Sequence, residues 1–398
     1  MRIAVLSDDY LPESTRVHAK MLHELATELV SRGHKVVVIT PGCWQQKDKI
    51  IIDFIEGVEV WRFKSKPTRG VGNVKRAINE TMLSLRAYVA IKKYIKNSPF
   101  DLCVNYSPTI FFGPLAWYLK NKGAYVYLVL RDFFPQWIID QGIVKERSLV
   151  VRYFKIFEKF NYRVSDCVAV QSPANLVLFN TMYPSHENSR VLMNWTKSKP
   201  TLASEVFNKS SIGLQDKVVL FYGGNIGHAQ DMTNLMRLAR NLKSCDDAHL
   251  LLIGQGDEYS LVEEKIKTWQ LSNVTLLPSV SQNEYIKIVA GVDIGLFSLS
   301  SKHSAHNFPG KLLGYMVESL PILGSVNSGN DIIDLINESY SGLVSVNGDD
   351  DKFLENAHEL IKSLSVRENM GKNSFNLVID KFSVETAADN ILSQILSK

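Results

Sequence analysis

The chain has 398 residues, of which 45% are hydrophobic and 22% charged, with a net charge of +4. This composition excludes a disordered, collagen-like or mini-protein chain, and the length calls for two or three domains of roughly 150 residues. The charge is uneven: residues 1–200 hold 29 Lys and Arg against 17 Asp and Glu, and the remainder holds 16 against 24. The first half is therefore expected to meet an anion, whether nucleic acid, a membrane surface or a phosphorylated lipid.

The chain enters a strand at once, Ile3-Ala4-Val5-Leu6, with Asp8 and Asp9 following. That is no signal peptide, and no apolar run approaches the ~20 residues of a membrane span, so a cytoplasmic location is expected. Val17, Met21, Leu22, Leu25, Ala26 and Leu29 recur at helical spacing, Gly33 ends the helix, and Lys35–Thr40 reads as the next strand. This is a βαβ unit of a parallel sheet. Further strands are expected at 58–63, 101–105, 125–130 and 167–171, and a basic helix at 74–96. A polar stretch, Lys197-Ser198-Lys199-Pro200, reads as a linker. A second series then offers strands at 218–222, 249–253, 274–277, 293–297 and 321–325. Its helices fall at 231–243, 258–269, 283–290, 309–318 and 351–364, and a last amphipathic helix spans 383–396. The predicted class is α/β, with two doubly wound Rossmann-like domains facing across a cleft. Domain one covers 1–197, with the helix 383–398 packing back on it, and domain two covers 198–382. Ligands of such sheets bind at the carboxyl ends of the strands.

Cys43, Cys103, Cys167 and Cys245 are far apart and form no CxxC pair, which points to buried free thiols rather than a zinc site or disulfides. Gly223-Gly224-Asn225-Ile226-Gly227-His228-Ala229-Gln230 follows the first strand of domain two. Its glycines let the backbone approach an anion, or simply make a tight turn, and Asp231 is placed to cap the next helix. In Ser300–Lys311 the order Asn307-Phe308-Pro309-Gly310-Lys311 puts a cap, then Pro309, then a cation in the first turn of a helix. A cation there opposes the helix dipole unless an anion joins it, so Lys311 is expected to contact phosphate, with His303 and His306 as nearby donors. No carboxylate lies in that loop to complete a metal site. In domain one, Asp8–Ser14 and Arg131-Asp132-Phe133-Phe134-Pro135-Gln136-Trp137 bring carboxylates to strand ends. Asp9 and Asp132 can act as bases on a hydroxyl or cap helices, and the aromatics can stack on sugars or pack in the core. Ten Lys and Arg but one acid, Glu80, lie between Arg62 and Lys96. With Ile78, Met82, Leu85, Val89 and Ile91 they make either a membrane-surface patch or a solvated basic face.

These pieces, in this order and spacing, resemble the family 4 glycosyltransferases of the two-Rossmann GT-B fold over nearly the whole chain. They include Asp9–Ser14, Arg32–Thr40, Arg131–Pro135, Asn194-Trp195, Tyr222–Gly227 with Gln230, Gly254–Asp257 and Asn307–Met316. Arg131–Trp137, Asn225–Asn234 and His306–Met316 further resemble the bacterial O-antigen L-fucosaminyltransferases. The resemblance implies a UDP-L-FucNAc donor and a GlcNAc-diphosphate-undecaprenol acceptor at the cytoplasmic face of the inner membrane. It implies no metal, no other cofactor and no nucleic acid. Its donor contacts would be Gly224, Asn225, Gly227, Gln230, Gly254, Leu277, His303, His306, Asn307, Phe308, Pro309, Gly310 and Glu318. Ser14, Arg16 and Arg131 would bind the acceptor, and Asp9, Glu13, Asp132 and Lys311 would do the chemistry.

The chain departs from the family pattern at four positions. Asn225 and Gln230 replace the usual Arg and Lys, and His306 and Gly314 replace two glutamates, which leaves Glu318 as the substitute ribose ligand. The family is retaining, whereas a β-L donor and an α-L product require inversion and hence a base. The alternatives are a sugar-nucleotide epimerase of the same fold and a non-catalytic glycosyltransferase-like subunit. A nicotinamide dehydrogenase is disfavoured, since no GxGxxG with an acidic partner follows the first strand.

Overall fold

A computed structural model of the protein describes all residues except 15, 141, 143, 203–205, 303–307, 397 and 398. The chain divides into two compact units, Met1–Asn194 with Val384–Lys398, and Trp195–Ser383.

The first unit holds strands β1 (Arg2–Leu6), β2 (Lys35–Gly42), β3 (Ile50–Ile55), β4 (Val58–Lys64), β5 (Leu102–Tyr106), β6 (Tyr125–Val129), β7 (Cys167–Val170) and β8 (Ser189–Val191). They form one sheet in the order β3-β4-β2-β1-β5-β6-β7-β8, parallel except for the β3–β4 pair. Its helices are α1 (Val17–Ser31), α2 (Asn73–Thr81), α3 (Leu83–Ile95), α4 (Gly113–Lys120), α5 (Gln136–Asp140), α6 (Leu149–Val164) and α7 (Pro173–Met182). The expected single helix 74–96 is two, broken at Met82, and Ile91 belongs to the core rather than to a surface patch.

The second unit holds β9 (Val218–Asn225), β10 (Ala248–Gln255), β11 (Val274–Pro278), β12 (Ile294–Ser298), β13 (Ile322–Val326) and β14 (Gly342–Val346), in the order β11-β10-β9-β12-β13-β14 and parallel throughout. Its helices are α8 (Met232–Asn241), α9 (Tyr259–Thr268), α10 (Gln282–Ala290), α11 (Lys311–Val317), α12 (Ile332–Glu338), α13 (Asp350–Lys362) and α14 (Leu364–Leu377). The core strands are near-continuous apolar runs, as sheets covered on both faces require. A last helix, α15 (Val384–Leu396), packs on α1 of the first unit, where Asp389 meets Arg32. The division after Asn194 precedes the polar stretch 197–200, because Thr196 N already donates to Phe382 O at 2.9 Å within the second unit. Cys103 and Cys167 are buried, but Cys43 is exposed. Among the described residues no helix is long and apolar enough to cross a membrane.

Candidate active site

In the second unit the parallel strands β9 and β10 run side by side until Gly254 stands opposite Gly224, and Gln255 opposite Asn225. Gly224 takes φ +120° and Gly256 φ +157°, which side chains disfavour. A Cβ on Gly254 would overlap the Gly224 carbonyl oxygen, and one on Gly256 would overlap that of Ile226. Glycine thus closes the strand ends tightly enough to leave bare backbone at the mouth of the turn. Gly254→Ala is expected to destabilise the protein by about 1–3 kcal/mol, the usual range for overpacking. Thermal denaturation checks this, and an unshifted midpoint would show that the turn relaxes freely.

Lys311 is the first residue of α11, with Gly310 at the cap position. Its Nζ is shut off from solvent, has no hydrogen-bond partner among the described residues, and lies 3.4 Å from the centre of the Tyr222 ring. A Cβ placed on Gly224 would be 3.7 Å from the same nitrogen. Burial drives the Lys311 pKa well below 10.5. The bed beneath it is aromatic: Tyr315 Oη accepts from Gly223 N at 3.2 Å and donates to Leu296 O at 3.3 Å, and Tyr222 Oη donates to Asn225 O. A buried, unpaired amine against exposed glycine backbone is a site built for an anion, because an ammonium left so is costly.

The other expected donor contacts divide. Asn225 Nδ2 donates to Gln230 Oε1 at 2.7 Å, so the two residues standing where the family has cations hold each other. Gly227 has Asp257 and Asn225 against the place a Cβ would take. Asp231 caps α8 through Asn234 N, as its position implied. Leu277, half-buried, lies opposite Ile253 in the β10–β11 register, one residue before the Gly254 pair. Two of the expected contacts have other partners in the protein. Both Glu318 oxygens accept from Thr201 N, at 2.9 and 3.2 Å, and Oε1 also accepts from Thr201 Oγ1 at 2.7 Å, so this carboxylate anchors the chain at Thr201. Phe308 is buried and stacks on Phe382 at 4.7 Å, which places its ring in the core. The helix expected from 309 begins at Lys311, and Pro309 O accepts from Leu312 N just before it. His303, His306 and Asn307 lie outside the described residues.

In the first unit a polar cluster forms at the carboxyl ends of β1, β5 and β6. Asp9 Oδ2 accepts from Ser14 Oγ at 2.6 Å and Arg69 Nη1 at 2.5 Å, while Arg16 Nε is 3.8 Å away. These bonds outweigh burial and hold the Asp9 carboxyl below its ordinary pKa, a poor condition for a base. Arg69 also reaches Asp8 at 3.1 Å. His18 stacks on Tyr106 at 6.0 Å, and its Nε2, 3.9 Å from Asp9 Oδ2, is buried without a hydrogen-bond partner among the described residues. Burial lowers the His18 pKa against the opposing pull of Asp8 and Asp9, so the ring is neutral near pH 7. Asp132 is exposed, yet crowding by surrounding protein raises its pKa, with Arg131 opposing.

Arg131 and Glu13 are engaged by other residues, and Phe133 and Phe134 take the core-packing role. Arg131 is buried and donates to Leu192 O at 2.7 Å and Met193 O at 3.2 Å, so it ties down the main chain. Glu13 pairs with Arg62 at 3.1 Å, beside Asp53 of β3. Phe134 packs on Phe154 at 4.9 Å and Phe133 on the Leu128–Val168 core, so both serve packing. His18 and Arg69 were missed because a lone His at a helix start and a lone Arg in a loop carry no local signal. His228, paired with Glu258 at 2.6 Å, was missed likewise; that pair, with Glu258 accepting from Met232 N, braces the glycine turn.

Two family models match the chain: "Glycosyl transferase 4-like domain" over residues 18–195 and "Glycosyl transferases group 1" over 204–377. A protein described as a putative colanic acid biosynthesis glycosyl transferase, WcaI of Escherichia coli, is 22% identical over 300 residues, 70% of this chain and 72% of that one. The solved structure of WaaG, a glycosyltransferase involved in lipopolysaccharide biosynthesis, shares the fold with TM-score 0.67 at 16% identity, covering 98% of this chain and 99% of that one. Anabaena HepE in complex with UDP-glucose does so with TM-score 0.70 at 14% identity, over 100% of both chains. The fold is that of the GT-B transferases, which act on sugar donors. With both halves matched, the chain belongs to the family 4 glycosyltransferases of that class.

Proposed function

We propose that the protein transfers N-acetyl-L-fucosamine from UDP-L-FucNAc to a GlcNAc-diphosphate-undecaprenol acceptor during assembly of a bacterial surface polysaccharide. The reaction is placed at the cytoplasmic face of the inner membrane and needs no metal. The observation that carries the donor half is Lys311, whose buried amine lies beside the exposed backbone of Gly224. HepE binding UDP-glucose on the same fold, and the colanic acid and lipopolysaccharide roles named for WcaI and WaaG, support a nucleotide donor and a polysaccharide product.

In this reading the acceptor hydroxyl attacks the anomeric carbon, a new C–O bond forms, and the bond from that carbon to the diphosphate breaks. Lys311 takes up the charge developing on UDP, beside the turn of Gly224 and Asn225, since the Gly223 and Ile226 N–H groups are already given to Tyr315 and Gln255; such stabilisation dominates reactions of this kind. The hydroxyl proton passes to a base in the first unit. Of the groups there, neutral His18 suits the task better than Asp9, because Asp8 and Asp9 stabilise the imidazolium it becomes. A mass-spectrometric assay offering UDP-L-FucNAc, UDP-GlcNAc and a GDP-sugar separately, with a GlcNAc-diphosphate-lipid acceptor, tests the proposal. Transfer from UDP-L-FucNAc alone, giving the inverted anomer, is expected. Turnover of UDP-GlcNAc without acceptor would instead make the protein an epimerase.

A further inference from the structure

Helix α6 carries apolar residues on both its faces. It buries Val151, Tyr162 and Val164 together with Glu158 and Asn161, the last accepting from Asn105 Nδ2 at 2.8 Å, and still exposes Leu149 (80%) and Ile156 (65%). Leu149, Arg152, Tyr153, Ile156, Lys159 and Arg163 follow i, i+3 and i+4 spacing, so one solvent-facing stripe runs the length of the helix. Tyr153 Oη meets Thr81 Oγ1 at 2.7 Å and so brings the end of α2 alongside. Helix α2 exposes Val74 (75%) and Ile78 (57%), again one turn apart. At the other end of the stripe, Trp117 of α4 joins Lys120, Phe160 and Arg163 around a depression of about 550 Å³. Across residues 73–96, 113–122 and 145–164 there are fourteen Lys and Arg and three acids. Of those acids Glu158 is buried and Glu80 is paired with Arg76.

An ordinary soluble helix turns its apolar stripe inward. An apolar stripe set among cations, with an aromatic at its edge, is the pattern of a helix lying in the interface of an anionic bilayer. The cations rule out a partner of like charge, and the apolar groups are too many for a purely ionic contact. We infer that the outer faces of α2 and α6, with Trp117, form a docking face for an anionic bilayer surface. The inference deepens the lipid-acceptor reading above by naming the surface that brings the enzyme to its acceptor.

The test is co-sedimentation of the full chain with phosphatidylglycerol vesicles and, separately, phosphatidylcholine vesicles. Binding is expected to the former, about 10-fold or more weaker to the latter, and weaker in high salt. Leu149→Ser with Ile156→Ser, and separately Arg152→Glu with Lys159→Glu, are each expected to reduce binding at least ~10-fold. Their melting temperature and UDP binding should stay unchanged. Equal binding to both lipids, or variants that bind like the wild type, overturns the inference. So does a solution dimer that the variants dissociate while vesicle binding persists, which would assign the face to a second copy of the chain. UDP binding without vesicle binding refutes the docking face alone. Vesicle binding that the variants abolish, with no UDP binding, refutes the donor reading and leaves the face standing.

Discussion

Lys311→Met is expected to lower turnover by at least ~100-fold while making the protein more stable. The loss follows from removing the cation that meets the departing diphosphate. The gain follows from the free protein, where the amine is buried on Tyr222 with no hydrogen-bond partner among the described residues. Losing its cation–π contact costs up to about 2 kcal/mol, and a methionine sulfur on the ring returns about 0.3–1.5 of that. Desolvating an amine costs more than that balance, so a net gain of about 1 kcal/mol or more is expected in chemical denaturation. The pH dependence carries the same signature. The folded pKa is driven below 10.5, so the unfolded chain binds the extra proton in the window between the two values. Wild-type stability then rises as pH climbs through that window, a slope absent from Lys311→Met. A variant that keeps near-normal turnover would remove Lys311 from the mechanism.

His18→Asn is expected to reduce kcat by 10²–10⁴-fold, the usual contribution of a positioned base, with UDP affinity unchanged. The wild-type kcat/KM should fall as pH drops through a pKa below 6.5, because the base works only when neutral and burial lowers its pKa. That acid limb should vanish in the variant. Unchanged turnover in His18→Asn would pass the proton to Asp132, whose pKa is raised, or would fit a retaining reaction that needs no base.

Much of the donor half was legible in the sequence. Val218–Tyr222 and Leu250–Ile253 are apolar runs that only a covered strand accommodates, and the Gly223–Gly227 turn follows directly from them. Lys311 betrayed itself through a local conflict, a cation at a helix start. What was not legible depends on residues distant in sequence. Glu318 looked available one turn beyond Gly314, but its partner Thr201 is 117 residues away. Arg131 looked like a ligand at a strand end, but it is spent on the carbonyls of Leu192 and Met193. His18 gains meaning only when the sheet brings Tyr106 beneath it. The outer stripe of helix α6 escaped notice because apolar residues stand on both its faces, and only the packing shows that Val151, Tyr162 and Val164 go inside while Leu149 and Ile156 stay out.

The central claim is that the second unit holds a uridine diphosphate site built around Lys311. Titration calorimetry with UDP in the presence of EDTA, on wild type and Lys311→Met, in two buffers of different ionisation enthalpy, tests it most directly. The account predicts that wild type binds UDP without metal, with proton uptake only where the pH lies between the depressed Lys311 pKa and 10.5, and that the variant does neither. Equal UDP binding by both proteins, or wild-type binding that appears only when a divalent metal is restored, would contradict it.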